Sequence, residues 1–357
     1  MSQRSFTFQG SAHPTSRRNL AATARWGAAL LCGASLLSGC MLEKQDDGDE
    51  YREALPLREA VVVAGPETDA AGDTKTASLQ SAFKPQGSGT LRTSYAKWYG
   101  FTRAVRGGVN VVTASVLGSV WTIVHLEPSA VRDGEATWGP YTDALEPVTY
   151  RFRVTRVAQA EYDYVLEGRP KASKSDDDYR AVLSGHGYGK QHTQHGQGDF
   201  LIDLSAAHEL DPAAHEDDSG TVRIVHELPH DIDAGGAGLP RTITATVTPD
   251  PEVNRESFSV TSKAELDGTG SLHVDAKSDV DDSKATQLEN VGVESRWRAD
   301  GAGRADITIS GGDIPADPGT VSAVECWGAD FVRSYYSDSV GFEPEAGEAS
   351  ACVYDAP

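Results

Sequence analysis

The chain has 357 residues, 39% hydrophobic and 24% charged, with a formal net charge of −21. That length supplies one large core or two ordinary ones and excludes a disulfide-held mini-protein. The acidic balance excludes recognition of nucleic acid through a broad basic surface, and a mean hydropathy of −0.40 excludes a polytopic membrane protein.

Residues 1–39 hold Arg4, Arg17, Arg18 and Arg25 and no acidic residue; an apolar stretch from Trp26 to Leu37 leads into Ser38-Gly39-Cys40. A basic start, a short apolar run and small residues before a cut describe a secretory signal peptide. The run is too short to span a bilayer, which takes ~20 apolar residues. Its end at Cys40 resembles the lipobox of bacterial lipoproteins. The resemblance implies that Cys40 carries a diacylglycerol, that residues 1–39 are removed, and that lipid anchors the chain to the membrane. Ser16-Arg17-Arg18-Asn19-Leu20 is similar to a twin-arginine export signal, although Ala21 stands where that family prefers a large apolar residue. Met41, following the lipidated Cys in place of a retaining Asp, implies the outer membrane.

Without the signal, 28 basic residues face 53 acidic ones, a net charge of −25. Cys326 and Cys352 are then an even pair in an oxidising compartment and are expected to form a disulfide. The bridge would close a loop of 26 residues, worth roughly 3–4 kcal/mol in the chain-entropy model. Residues 40–88, rich in Asp, Glu, Ala, Gly and Thr, read as a lipidated Cys and disordered tether, because low hydrophobicity with high charge cannot offset the entropy of ordering. Residues 89–357 read as a single β-rich domain.

Within that domain, Phe101, Val105, Val109, Val112, Val116, Val120 and Ile123 recur at steps of four and three. This spacing predicts a buried helix over about 96–126. No charge interrupts the 20 residues between Arg106 and Glu127, but Asn110, Thr113, Ser115 and Ser119 make a poor membrane span.

From Val148 the period changes to two: Val148, Tyr150, Phe152 and Val154; Tyr162, Tyr164 and Leu166; Tyr179, Ala181 and Leu183; Phe200 and Ile202; Val222 and Ile224; Ile243, Ala245 and Val247; and so on to Val324, Cys326 and Tyr335. About eleven short half-buried strands at hairpin spacing predict a mainly β fold, an antiparallel β-meander forming a curved sheet or barrel. Trp138-Gly139-Pro140-Tyr141 reads as a turn before the first strand. Gly196-Gln197-Gly198, Gly268-Thr269-Gly270 and Gly301-Ala302-Gly303 each precede an alternating run, as Gly87-Ser88-Gly89 also does, and read as hairpin turns or bulges. None continues into a phosphate-binding fingerprint.

His226-Glu227-Leu228-Pro229-His230 matches the H-E-x-x-H string of zinc metalloproteases, whose chemistry needs both His on one helix face. Pro229 breaks such a helix, and Thr221 to Val225 alternates like a strand, so a strand running into a loop is expected. His186, His192, His195, His208, His226 and His230, with His215, Glu216, Asp217 and Asp218 nearby, nevertheless concentrate imidazole where zinc or another divalent metal is the one cofactor to consider. Asp279-Val280-Asp281-Asp282 lacks the Gly that a calcium loop requires. There is no Gly-x-Ser-x-Gly elbow and no Cys free to act, so no enzyme is expected.

A β-meander with a helix on its apolar face is similar in layout to periplasmic lipoprotein carriers. The texture of the body resembles large acidic envelope lipoproteins of high-GC Gram-negative bacteria. Fold does not imply function. The expectation is a non-catalytic binding or structural module that takes an apolar ligand or an envelope protein partner. An apolar ligand would need a cavity bounded by Tyr150, Phe152, Tyr162 and Val116. The alternative, a divalent-metal protein, needs at least three of the six histidines to converge.

Overall fold

A computed structural model describes residues 48–52, 54–56, 61–63, 95–188, 196–215, 218–228, 241–252, 256–280 and 287–355. Fifteen antiparallel strands form one sheet in strict chain order. They are β1 (Ala130–Arg132), β2 (Glu135–Tyr141), β3 (Val148–Ala158), β4 (Glu161–Pro170), β5 (Arg180–Tyr188), β6 (Gly196–Asp203), β7 (Thr221–Leu228) and β8 (Arg241–Thr248), then β9 (Ser257–Ala264), β10 (Gly270–Ser278), β11 (Glu289–Trp297), β12 (Gly303–Gly311), β13 (Thr320–Trp327), β14 (Arg333–Asp338) and β15 (Ala346–Gly347). β1 and β15 each pair with one neighbour, so the meander is a curved open sheet and not a barrel. Both edges are strands of two or three residues, which limits the unpaired backbone offered to another chain.

The strand count exceeds the expected eleven by four, and three of the extra strands are β1, β2 and β15. β1 and β15 are too short to show a period. β2 contains the Trp138-Gly139-Pro140-Tyr141 segment, which is strand with a register shift against β3 between Trp138 and Tyr141 and not a preceding turn.

Period-two patterning places one face inward. Trp138, Phe152, Leu166, Leu183, Ile202, Val222, Ala276 and Val291 are all buried there, as are Val154, Tyr164, Phe200, Ile224, Ala245, Val260, Val274, Val293 and Ile307. In β13 the faces are the reverse of the expected ones. Ala323, Glu325 and Trp327 point inward, in register with Ile307, Ala305 and Gly303, and Val324 and Cys326 point outward. A one-residue change of parity turns every side chain over.

The inner face is filled by the helix α2 (Lys97–Val124), close to its predicted extent. At 1.5 Å per residue its 28 residues run about 42 Å, and it crosses the sheet obliquely. Its first turn meets Glu325 on β13, Thr102 meets Ser295 on β11, and Trp138 on β2 reaches the carbonyl of Leu126 just past its end. Trp98, Phe101, Thr102, Val105, Val109, Thr113, Leu117, Val120 and Ile123 are buried.

By its own sequence α2 is a weak helix. Gly100, Gly107, Gly108 and Gly118, seven valines, three threonines and Ile123 lie within it, no side chain of its N-cap residue caps its N-terminus, and its first turn has no acid. Gly and β-branched residues all cost helix stability relative to Ala. None of the four glycines is required by packing, because a Cβ at each would meet nothing within 4 Å. Replacing Gly107, Gly108 and Gly118 by Ala together is therefore expected to stabilise the protein by about 2 kcal/mol, read as a higher midpoint in urea at an unchanged slope.

Residues 48–63 depart from the disordered-tether expectation where they are described. α1 (Asp49–Arg52) docks against the end of α2. Arg52 Nε donates to the Val124 carbonyl at 2.5 Å and Arg52 Nη2 to that of Leu126 at 3.0 Å. Asn110 exchanges two hydrogen bonds with the Val63 backbone, at 2.7 and 3.1 Å. Tyr51, Ala54, Leu55, Val61 and Val63 are buried in the core. Tyr51 meets the Tyr162 ring of β4 edge-on at 6.3 Å, and Arg52 supplies donors at the open end of α2, where its carbonyls need them.

The Gly-x-Gly segments divide their work between the two glycines. Gly268 (φ +84°) and Gly301 (φ +88°) supply the left-handed turn. The second glycine of each lies inside a strand beneath a Trp of the next strand: Gly270 opposes Trp297, and Gly303 opposes Trp327. A Cβ would stand 2.5 Å from the ring at Gly270 and 2.4 Å at Gly303. Gly198 opposes His226 in the same way, so a buried imidazole holds the place that indole holds in the other two copies. Gly87-Ser88-Gly89 lies outside the described residues.

Candidate functional site

Register places one row of residues across the inner face: Gly198, His226, Ile243, Ser262, Leu272, Ser295, Ala305 and Glu325. Polar groups are interspersed there with apolar ones, against the helix. The buried polar residues His226, Ser262, Ser295 and Glu325 all lie in this row.

Glu325 is completely buried and acts as the N-terminal cap that α2 lacks. Its carboxylate accepts from the backbone N–H of Lys97 at 3.1 Å and of Trp98 at 2.5 Å, and from Arg333 Nε at 2.5 Å. A carboxylate facing the positive end of a helix is favourable. Burial nevertheless holds its pKa above the usual carboxylate value, with Arg333 and the two N–H groups pulling the other way. Glu343 joins the group through Lys97 and through Arg333 Nη1 at 2.8 Å. Burial opposes its charge, but the Lys97 and Arg333 hydrogen bonds win and lower its pKa. Nothing in the sequence marked this cluster, because Glu325 sits at an inward position of a strand whose apolar residues flank it.

His226 is buried, and its ring nitrogens have no hydrogen-bond partner among the described residues. Burial alone pushes its pKa down to about 4, so it is neutral at physiological pH. The H-E part of His226-Glu227-Leu228 lies on β7, as the alternation required; Pro229 and His230 lie outside the described residues.

The other candidate histidines are spread apart. His186 is on the outer face, with Nδ1 2.5 Å from Asp163 Oδ1, and it follows the opposite parity to His226, because its neighbour Gly187 is the one that pairs with Gly198. His208 sits on the short helix α3 (Leu204–Leu210) between β6 and β7, its Nδ1 2.7 Å from the His215 carbonyl. His215 Nδ1 is 2.9 Å from Asp218 Oδ2. His192, His195 and His230 lie outside the described residues. No group of three or more His, Cys, Asp or Glu able to hold a metal occurs among the described residues.

His273, which no sequence motif marks, bonds to two carboxylates on the outer face. Nδ1 is 2.8 Å from Glu294 Oε2 and Nε2 is 3.0 Å from Asp275 Oδ2. Both nitrogens can donate only in the imidazolium form. Partial burial works against that charge, but the hydrogen bond to Glu294 and the charge of Asp275 outweigh it and raise the pKa. The stabilisation is complete below the unfolded-state value, ~6.5, and is lost as pH rises through the raised folded value. His273→Gln is therefore expected to flatten the stability profile above about pH 6 relative to the parent, as read by thermal melts at increasing pH.

Two open grooves lie on the outer face. One, of about 420 Å³, is bounded mainly by hydroxyl and amide side chains such as Thr246, Ser259, Asn290 and Thr308. The other, of about 500 Å³, brings Arg153 and Arg223 beside Asp163, His186 and Asp199. Of the residues named for an apolar-ligand cavity, Phe152 and Tyr162 are buried in the core cluster and Tyr150 packs against it. The Val116 side chain is outside the described set. The expected Cys326–Cys352 disulfide is present, with Cα atoms 5.3 Å apart; Cys40 lies outside the described residues.

No helix among the described residues is long and apolar enough to cross a membrane. No protein-family model, no curated protein and no solved structure matches this chain.

Proposed function

We propose that this protein is a lipid-anchored envelope lipoprotein, held at the outer membrane through Cys40, that acts as a non-catalytic module toward an envelope protein partner. The signal peptide and lipobox support the address. The observation that carries the second half is that α2 occupies the inner face of the sheet, with Trp138, Trp297 and Trp327 no more than 1% exposed. A carrier of acyl chains needs a cavity between sheet and helix; here Phe152 and Tyr162 are packed into the core and Tyr150 against it. Contacts with a partner then fall to the outer face, where the described grooves lie.

Two measurements test this. In a Gram-negative host the parent is expected in the membrane fraction with an acylated N-terminal peptide by mass spectrometry, and Cys40→Ala is expected in the soluble fraction. A Cys40→Ala protein that stays with the membrane overturns the anchor. Native mass spectrometry of the soluble variant is expected to show the bare chain mass. A stoichiometric co-purifying lipid would restore the carrier reading.

A further inference from the structure

The last described residues of the chain lie across the outer face of β13, β12 and β11. Arg296, Arg304 and Cys326 are register partners in one outward row. Cys326 holds Cys352 by the disulfide. From there the Tyr354 carbonyl accepts from Arg304 Nη1 at 3.2 Å, and the Asp355 carbonyl from Arg296 Nη2 at 2.8 Å. The Tyr354 ring lies 5.2 Å from the Arg296 guanidinium. The segment therefore follows the row from β13 to β11, and two main-chain carbonyls and one aromatic ring hold it there. Any extended peptide with an aromatic side chain at the right place presents those groups.

The receiving side is built. Arg304 is 9% exposed and grips Asp306 through Nε at 3.0 and 2.8 Å and Nη2 at 2.6 Å. Arg296 Nη2 reaches the same carboxylate at 3.4 Å. Two guanidinium groups share one carboxylate, while Asp355 acts on Arg304 and Asp267 and Asp300 act on Tyr354 from farther off. Arg296 Nε is buried and has no hydrogen-bond partner among the described residues. A carboxylate would satisfy it, because guanidinium pairs best with planar acidic acceptors.

We propose that Arg296 and Arg304 form a binding site for an extended acidic peptide segment with an aromatic residue beside an acidic one, and that residues 353–355 occupy it in cis. The disulfide keeps that occupant in place. The site stands apart from the lipid anchor and from the envelope reading, and its test needs neither.

A chain ending at Cys352 keeps the disulfide and vacates the site. The probe is the acetylated peptide Val-Tyr-Asp-Ala-Pro, and the readout is the NMR shift of the arginine Nε–H resonances together with the titration midpoint. Saturable binding to the shortened chain is expected. Binding to the full chain should be weaker by about tenfold or more, because the tethered segment competes at millimolar effective concentration. Arg296→Gln in the shortened chain should weaken binding at least about tenfold, with its melting curve recorded alongside to show that it is folded. The proposal fails if the shortened chain, disulfide intact, does not bind the peptide. It fails equally if the full chain binds as tightly, or if Val-Ala-Ala-Ala-Pro binds as well.

Discussion

Glu325→Ala is expected to lower the unfolding free energy by about 3 kcal/mol, because it removes the acceptor of Arg333 Nε and of two helix N–H groups at once and leaves Arg333 with Glu343 alone of its two carboxylates. For a body of this size that is a fall in melting temperature of roughly 6–12 °C, read by calorimetry. The Lys97 N–H and Arg333 Nε bond to one oxygen of Glu325 and the Trp98 N–H to the other, so Glu325→Gln keeps one of these two acceptors and should lose about half as much. The pH dependence separates the two forces on this carboxyl. Burial raises its pKa above the unfolded value, so its contribution is complete below the unfolded carboxylate pKa and is lost as pH rises through the folded one. The stability gap between the parent and Glu325→Gln should therefore be widest in acid and narrow toward neutrality. A gap that widens with pH would mean that the Arg333 ion pair outweighs desolvation.

The second large effect falls on the glycine–tryptophan pairs. Trp327 is 1% exposed, donates from Nε1 to the Gly301 carbonyl at 2.9 Å, and lies against Gly303 and Tyr99. Trp327→Ala removes that packing and should cost about 3–5 kcal/mol. Gly303→Ala attacks the same contact from below. Its Cβ would stand 2.4 Å from the indole and 2.5 Å from the Arg296 carbonyl oxygen, a clash that should cost about 1–3 kcal/mol. The double variant should lose less than the sum, since the added methyl no longer meets a ring, but the backbone clash remains. Urea titrations of the four proteins close the cycle. Strict additivity would show that the glycine is there for its backbone and not for the ring.

Strands and helix were legible because their signals are local. Alternation along β3 to β12 and the three-four spacing of α2 follow from side-chain geometry within one element. The disulfide was legible from cysteine count. Where two partners compete for one strand, locality fails. Val324 and Cys326 look like core residues, but Cys326 faces outward to hold Cys352, and the inward place between them goes to Glu325, which the helix needs. The same holds for α2 itself, whose composition favours strand as much as helix and whose ends are capped by Glu325 and Arg52 from distant parts of the chain.

Sequence alone thus determined the acidic balance, the meander and the central helix, because each depends on composition or on a period within one segment; the export address it gives as an expectation. Tertiary structure decided that the sheet stays open, that residues 48–63 join the core where described, that His186 and His226 face opposite ways, and that residues 353–355 lie on an arginine pair. Those outcomes depend on which surfaces meet across the fold, and no local pattern encodes a meeting between residues 43 to 228 positions apart.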